Sequence, residues 1–244
     1  MIGTERPDVV VSHLLEGRFA VIVDGSPNVL IGPITFFQFF TASEDYYQWF
    51  GIATILRLLR VFSFFMAVII PSLYVAIVTF HHEMLPNPLL INIASQREGV
   101  PFPAFVEAII MMVTFEVLRE AGLRMPHVAG QAISIVGALV LGQAAVEAGL
   151  VSPVIVIVVA FTAISHFVAP FYNFSITQRI LQFTFMILAG FLGLYGIYCG
   201  ILLTIVHLAS LKSFGVPYLA PFAPTFLFDW KDVPIRVPRY DHLS

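Results

Sequence analysis

The sequence predicts an α-helical polytopic membrane protein. About four spanning helices and one interfacial or re-entrant helix follow a short α/β segment. Three observations carry this reading. Hydrophobic residues make up 59% of the 244 positions and charged residues only 11%. A soluble domain carries roughly 45–50% apolar and about 25% charged residues, and a water-exposed surface has no room for this excess. The run Val61–Phe80 is uncharged over its whole length and long enough to span, since a bilayer core takes about 20 residues. Further apolar runs follow at Gln131–Glu147, Pro153–Pro170 and Ile180–Ser210.

Residues 1–50 are more polar. Pro7 to Glu16 reads as a short helix, with Thr4 as its N-cap candidate. Arg18–Asp24 and Asn28–Ile31 read as strands around the turn Gly25-Ser26-Pro27. One helix and one hairpin cannot bury a core alone, so this piece reads as the C-terminal remnant of a cytoplasmic α/β domain. Ser43-Glu44-Asp45 reads as a helix start with acids in its first turn. The transmembrane helical domain is expected over 51–210 and a Pro-rich cytoplasmic tail over 211–244.

Within the apolar part, Pro71 is expected to kink its helix. The segment from His81 to Glu98, with Pro86 and Pro88, reads as non-helical. The helix over 104–121 carries Glu107 and Glu116, with Ile109, Ile110, Val113 and Val117 in one stripe. It reads as interfacial or re-entrant. With four crossings both termini share one side, and Lys/Arg counts place that side in the cytoplasm.

Ionisable residues at membrane depth are functional candidates, which singles out Glu107, Glu116 and Glu147, with Gln143 four residues before Glu147. Their alternative role is pairing with arginine or backbone. Ala138 and Gly142 lie four apart, and Gly190, Gly193, Gly196 and Gly200 recur at spacings of three, three and four. Small residues at helical spacing let backbones approach in lipid, either within one subunit or between subunits around a pore. His82-Glu83 does not extend to HExxH, because Pro86 holds the second histidine's position. The sequence predicts no catalytic residues, metal or cofactor. A net charge of −3 gives no reason to expect nucleic acid. Cys199 is the single cysteine, so no internal disulfide is possible.

Several phrases resemble the A subunit of the GerA spore-germination receptor family. They are TERPDVV (4–10), LLEGR (14–18), EDYYQWF (44–50), FHHEMLP (80–86), REGVPFPAFVEA (97–108), FEVLREAGLRMP (115–126), GQAAVEAGLVSP (142–153) and HLASLKSFGVPYLAPFAP (207–224). The resemblance implies a membrane subunit that oligomerises into a nutrient-gated cation channel in the inner spore membrane or bacterial cell membrane. It implies as partners a transporter-like B subunit and a lipoprotein C subunit. Family A subunits carry a sizeable cytoplasmic domain before the membrane part. This chain starts shortly before ERPD, so the missing domain is expected on a separate chain or lost. A truncated non-conducting scaffold, a sporulation-stage paralogue and a secondary transporter are the alternatives. No internal repeat favours the transporter.

Overall fold

The computed structural model describes residues 1–124, 137, 140–168 and 172–223. It is mostly helical, with one small sheet and one short hairpin. The chain forms two compact units. One comprises Met1–Phe64, Val168–Thr177 and Ile201–Ser244, and the other Phe65–Phe167 and Gln178–Gly200.

In the first unit, β1 (Ile2–Thr4), α1 (Pro7–Leu15), β2 (Phe19–Val21) and β3 (Val29–Gly32) form an antiparallel sheet in the order β1-β3-β2, with α1 packed beside it. The register pairs Ile2 with Ile31 and Phe19 with Gly32. The expected helix and two strands are present. β1 is an addition, too short to carry a strand pattern of its own. Arg6 occupies the N-cap of α1, and the Thr4 hydroxyl accepts the Arg6 N–H at 3.2 Å from within β1. Ser43–Tyr46 forms a single 3-10 turn, and the long helix α2 (Phe50–Phe80) starts four residues later.

The core of this unit is aromatic. Phe36, Phe39, Phe40, Phe64 and Phe174 pack with Ile2, Val9, Ile31 and Ile34. Phe174 stacks on Phe39 with centroids 4.9 Å apart and on Phe64 at 4.8 Å, while Phe36 meets Phe64 and Phe174 edge-on. Leu208, Tyr218 and Leu219 close over the same cluster. The Phe36 N–H donates to the Tyr218 carbonyl at 2.8 Å, tying the residues after 210 to the sheet side. Those residues begin with a hairpin of β4 (Lys212–Ser213) and β5 (Val216–Pro217). Phe214 and Gly215 at its tip both have positive φ, 51° and 85°, as a twisted two-residue turn requires. Residues 224–244, with Lys231, Arg236 and Arg239, lie outside the described residues.

The second unit holds the later part of α2, then α3 (Asn87–Arg97), α4 (Ala104–Arg124), α5 (helical over 140–147), α6 (Pro153–Phe167) and the middle of α7 (Tyr172–Ser210). α2 continues through Pro71 as one helix. α3 corrects the non-helical reading of the segment after His81. Pro88 sits in its first turn, where the missing N–H costs nothing. Residues 131–136, 138 and 139 of the expected Gln131–Glu147 crossing, Ala138 thus included, lie outside the described residues.

Among the described residues, two helices are apolar enough by length and composition to cross a membrane, Phe50–Phe80 and Phe174–Ser210, with Pro153–His166 a shorter apolar helix. The second is not one rod. Gly193 has φ 60° and ψ −141°, a non-helical conformation closed to L side chains. Beyond it the chain turns back. A Cβ placed on Gly196 would overlap the Leu188 carbonyl, and one on Gly200 would lie 3.2 Å from Phe185 and Leu188 side-chain atoms. At the other end, Phe174 and Leu208 pack in one cluster. In a straight helix those two residues would be about 51 Å apart. Helix α7 is therefore two antiparallel arms, α7a (172–192) and α7b (194–210), hinged at Gly193. This corrects the reading of Ile180–Ser210 as a single crossing and of the four glycines as one helical face.

Candidate functional site

The second unit buries several polar and charged side chains within a mainly apolar interior, and many aliphatic side chains lie on its exterior. Glu107 is 0% exposed, as are Gln178 and Gln182, and His166 is buried with them. On the opposite side of α4, Val106, Ile110, Val113 and Val117 are exposed, Val117 by 63%. Ile110, Val113 and Val117 of the stripe seen in the sequence thus face outward, while Glu107, Glu116 and Arg119 face in and Glu120 is exposed.

Two polar clusters fasten the helices. In the first, Glu107 Oε1 accepts the Ser152 N–H at 2.5 Å and the Ser152 hydroxyl at 2.6 Å. Ser152 directly precedes α6, so the Glu107 carboxylate satisfies donors at that helix's N-terminus, where negative charge is favoured. The Tyr74 hydroxyl lies 3.3 Å from Ser152 Oγ, and Arg97 brings a nitrogen within 3.7 Å of Glu107 Oε2. Four elements therefore meet here: α2, the end of α3, α4 and the start of α6. Asp or Asn lacks the reach of Glu, and no apolar residue could accept the two donors.

In the second cluster, Arg179 from α7a donates to Glu116 Oε2 at 2.8 Å, and Arg119 lies 3.8 Å from Glu116 Oε1. Beside them, His166 Nε2 and Gln182 Oε1 are 2.7 Å apart, and Gln182 Nε2 points at the Met112 sulfur at 3.5 Å. Polar contacts at this depth join α4, α6 and α7a. Glutamates at positions 107 and 116 were candidates for attracting cations. The structure places both on internal partners.

Gln143 and Glu147 are exposed on α5 and bonded to each other, Gln143 Nε2 donating to Glu147 Oε1 at 3.0 Å. Gly142 is buried, and a Cβ there would come within 3.1 Å of Val156 on α6. Gly190 abuts the Phe105 ring of α4, where an added Cβ would lie 2.7 Å from Cε2. Gly193 forms the hinge against Phe80 and His81, and Gly196 and Gly200 line the contact between the two arms of α7. All four glycines of α7 thus serve close approaches within one chain.

Sequence reading missed a third cluster, in the first unit. Asp45 is 1% exposed and faces two arginines of α2: Arg60 Nη1 donates at 2.8 Å, and Arg57 Nε at 3.4 Å. The same carboxylate accepts the Ala42 N–H at 3.1 Å, and Arg60 also donates to the Phe40 carbonyl at 3.1 Å. In the Lys/Arg counts that set sidedness, Arg57 and Arg60 figure only as charges before the first apolar run. The signal was present as Asp45 twelve residues before Arg57, but that spacing has meaning only once the chain bends between them. Among the described residues no group of three His, Cys, Asp or Glu side chains is placed to hold a metal ion.

The class is a mostly helical protein with two helices apolar enough to span a membrane among the described residues, and comparison with known proteins defines the lineage. The chain belongs to the GerA family: the model of the Bacillus/Clostridium GerA spore germination proteins matches residues 1–243. It is 57% identical over 238 residues to Spore germination protein KA of Bacillus subtilis (strain 168), covering 98% of this chain and 44% of that protein. Uncharacterized membrane protein YfkQ of the same organism is 48% identical over 235 residues, 96% of this chain and 46% of the relative. Spore germination protein GerLA of Bacillus cereus is 47% identical over 238 residues, 98% and 48% respectively. The chain spans about half the length of the curated relatives it matches. No solved structure matches it.

Proposed function

We propose that this chain is an integral membrane subunit of a germinant receptor, contributing to an oligomeric, nutrient-gated cation channel. The observation that carries the reading is kinship along nearly the whole chain to spore germination proteins. The exposed valines and isoleucines of the second unit and the pairing of its buried charges support the membrane part, because lipid accepts the former while buried charges must find partners.

The crossing count follows from the hairpin. α4 has 21 residues, a length of about 32 Å, which matches a bilayer core of about 30 Å. In this proposal α2, α4, the 131–147 run, α6, α7a and α7b each cross once, which brings both chain ends to one side, the cytoplasm. Unit one gathers residues from both ends of the chain, as that topology requires. Glu107 and Glu116 act as internal ties of the bundle. Gln143 and Glu147, exposed on α5, are the residues placed to meet permeating cations. The B and C receptor subunits are the proposed partners, the inner spore membrane the proposed site of action, and residues 1–50 a portion of a cytoplasmic domain.

The test is monovalent-cation flux from liposomes holding the assembled receptor. Nutrient is expected to raise flux above the level of liposomes lacking this chain. A verified, complete assembly that releases no cations in response to nutrient makes the chain a non-conducting scaffold and overturns the channel reading.

A further inference from the structure

Glu116 stands between two guanidinium groups of different origin. Arg179 reaches it from α7a at 2.8 Å, whereas Arg119 lies one turn along α4 itself, 3.8 Å away. All three side chains are more than four-fifths buried, with exposures of 17%, 18% and 9% for Glu116, Arg179 and Arg119. One bond joins two helices and the other stays within one.

That asymmetry has a consequence for motion. Separating a buried ion pair strands a charge and costs about 3–5 kcal/mol. For Glu116 the penalty is reduced, because a carboxylate leaving Arg179 has Arg119 beside it to close upon. Arg179 lies seven residues inside the start of α7, about 10 Å, and its aliphatic stem lets the charge reach toward that end. The outer side of α4 carries the exposed aliphatic side chains of Val106, Ile110, Val113 and Val117. The first turn of α4 is held differently. Glu107 is fixed to Ser152 by two short hydrogen bonds, and Phe105 lies on Gly190.

We propose that Glu116 is a two-position latch: paired with Arg179 it holds α4 against α7a, and transferred to Arg119 it frees α4 to pivot about its first turn. The latch deepens the channel reading, since it names the movement that gating would use. It does not require the pore to be formed by any particular helix.

Spin labels at Val117 and Ile180, both exposed and outside the network, report the α4–α7a separation in the full chain with Cys199 replaced by Ser. The Glu116→Gln variant is expected to raise the population at the longer distance by about fivefold or more. The Arg119→Gln variant, which keeps the interhelical tie, is expected to lower it by a similar factor. If Glu116→Gln does not accumulate, Arg119→Gln decides alone. Identical distance distributions in the parent and in every variant obtained overturn the latch. These distances are read without nutrient and without flux. A receptor that never conducts therefore leaves the latch standing, and one that gates normally at an unchanged distance removes the latch alone.

Discussion

One carboxylate oxygen of Glu107 accepts both hydrogen bonds that Ser152 can donate, from its backbone N–H at 2.5 Å and from its hydroxyl at 2.6 Å. A buried anion on α4 thereby completes the N-terminus of α6, and the two helices cannot part without exposing unsatisfied groups. Glu107→Ala is expected to destabilise the protein by about 3–5 kcal/mol, since Arg97 and two donors lose their partner. Ser152→Ala removes one donor and keeps the backbone bond, so its cost is about 1 kcal/mol. Thermal midpoints of the detergent-purified protein give the ranking. Equal effects from the two substitutions would contradict it.

Gly193 and Gly196 are expected to be intolerant for separate reasons. Gly193→Ala forces an L side chain into φ 60°, at a cost of about 1–2 kcal/mol, and sets it against the His81 ring. Gly196→Ala meets the Leu188 carbonyl, a backbone atom that no rotamer change can move, so the arms of α7 must separate. Gly99→Ala serves as the control, because open space surrounds that position. Loss of folded protein is expected for the first two and normal accumulation for the third.

The Asp45 carboxylate offsets two arginines in the first unit. Asp45→Asn leaves Arg57 and Arg60 facing a neutral group and is expected to cost about 3–5 kcal/mol. Glu44→Gln, at the preceding residue but exposed and paired with exposed Arg6, is expected to change stability by less than about 1 kcal/mol. The same thermal measurement separates them.

Glu16 supplies a pH signature. A hydrogen bond from His13 holds its carboxyl below the usual range against the opposing effect of burial, with the Arg18 charge adding to the shift. A depressed carboxyl pKa stabilises the fold above the unfolded value of about 4.3 and loses that contribution as pH falls through the folded value. Glu16→Gln is expected to lower the stability of the first unit near neutrality, where the ionised carboxylate contributes, and to converge on the parent as pH falls below about 4, which flattens the profile. A parallel loss at all pH values would show that the residue acts by packing alone.

Periodicity made α1, β2, β3 and the apolar run of α2 legible, because each is decided by neighbours in the chain. The α7 hairpin was not legible. A glycine within an apolar run reads as helix, and only the approach of Gly196 to Leu188 shows that the chain reverses at Gly193. The Asp45 cluster was hidden for a related reason: its members share no helical face, and the 3-10 turn that brings Asp45 to α2 leaves no pattern. Glu107 and Glu116 stood out in the sequence as acids within an apolar run, but their partners come from the N-terminus of α6, from α3 and from α7a, and spacing along α4 says nothing of those.

Single cysteines at Asp24, Glu83, Leu192 and Lys212, in a chain with Cys199 replaced by Ser, test the central claim directly. A membrane-impermeant thiol reagent is applied to each side of sealed vesicles. The fold-back at Gly193 requires Asp24 and Lys212 to react from one side and Glu83 and Leu192 from the other. Reaction of Lys212 on the side of Glu83, with Leu192 protected from both, would mean that α7 crosses the membrane once and would contradict the hairpin.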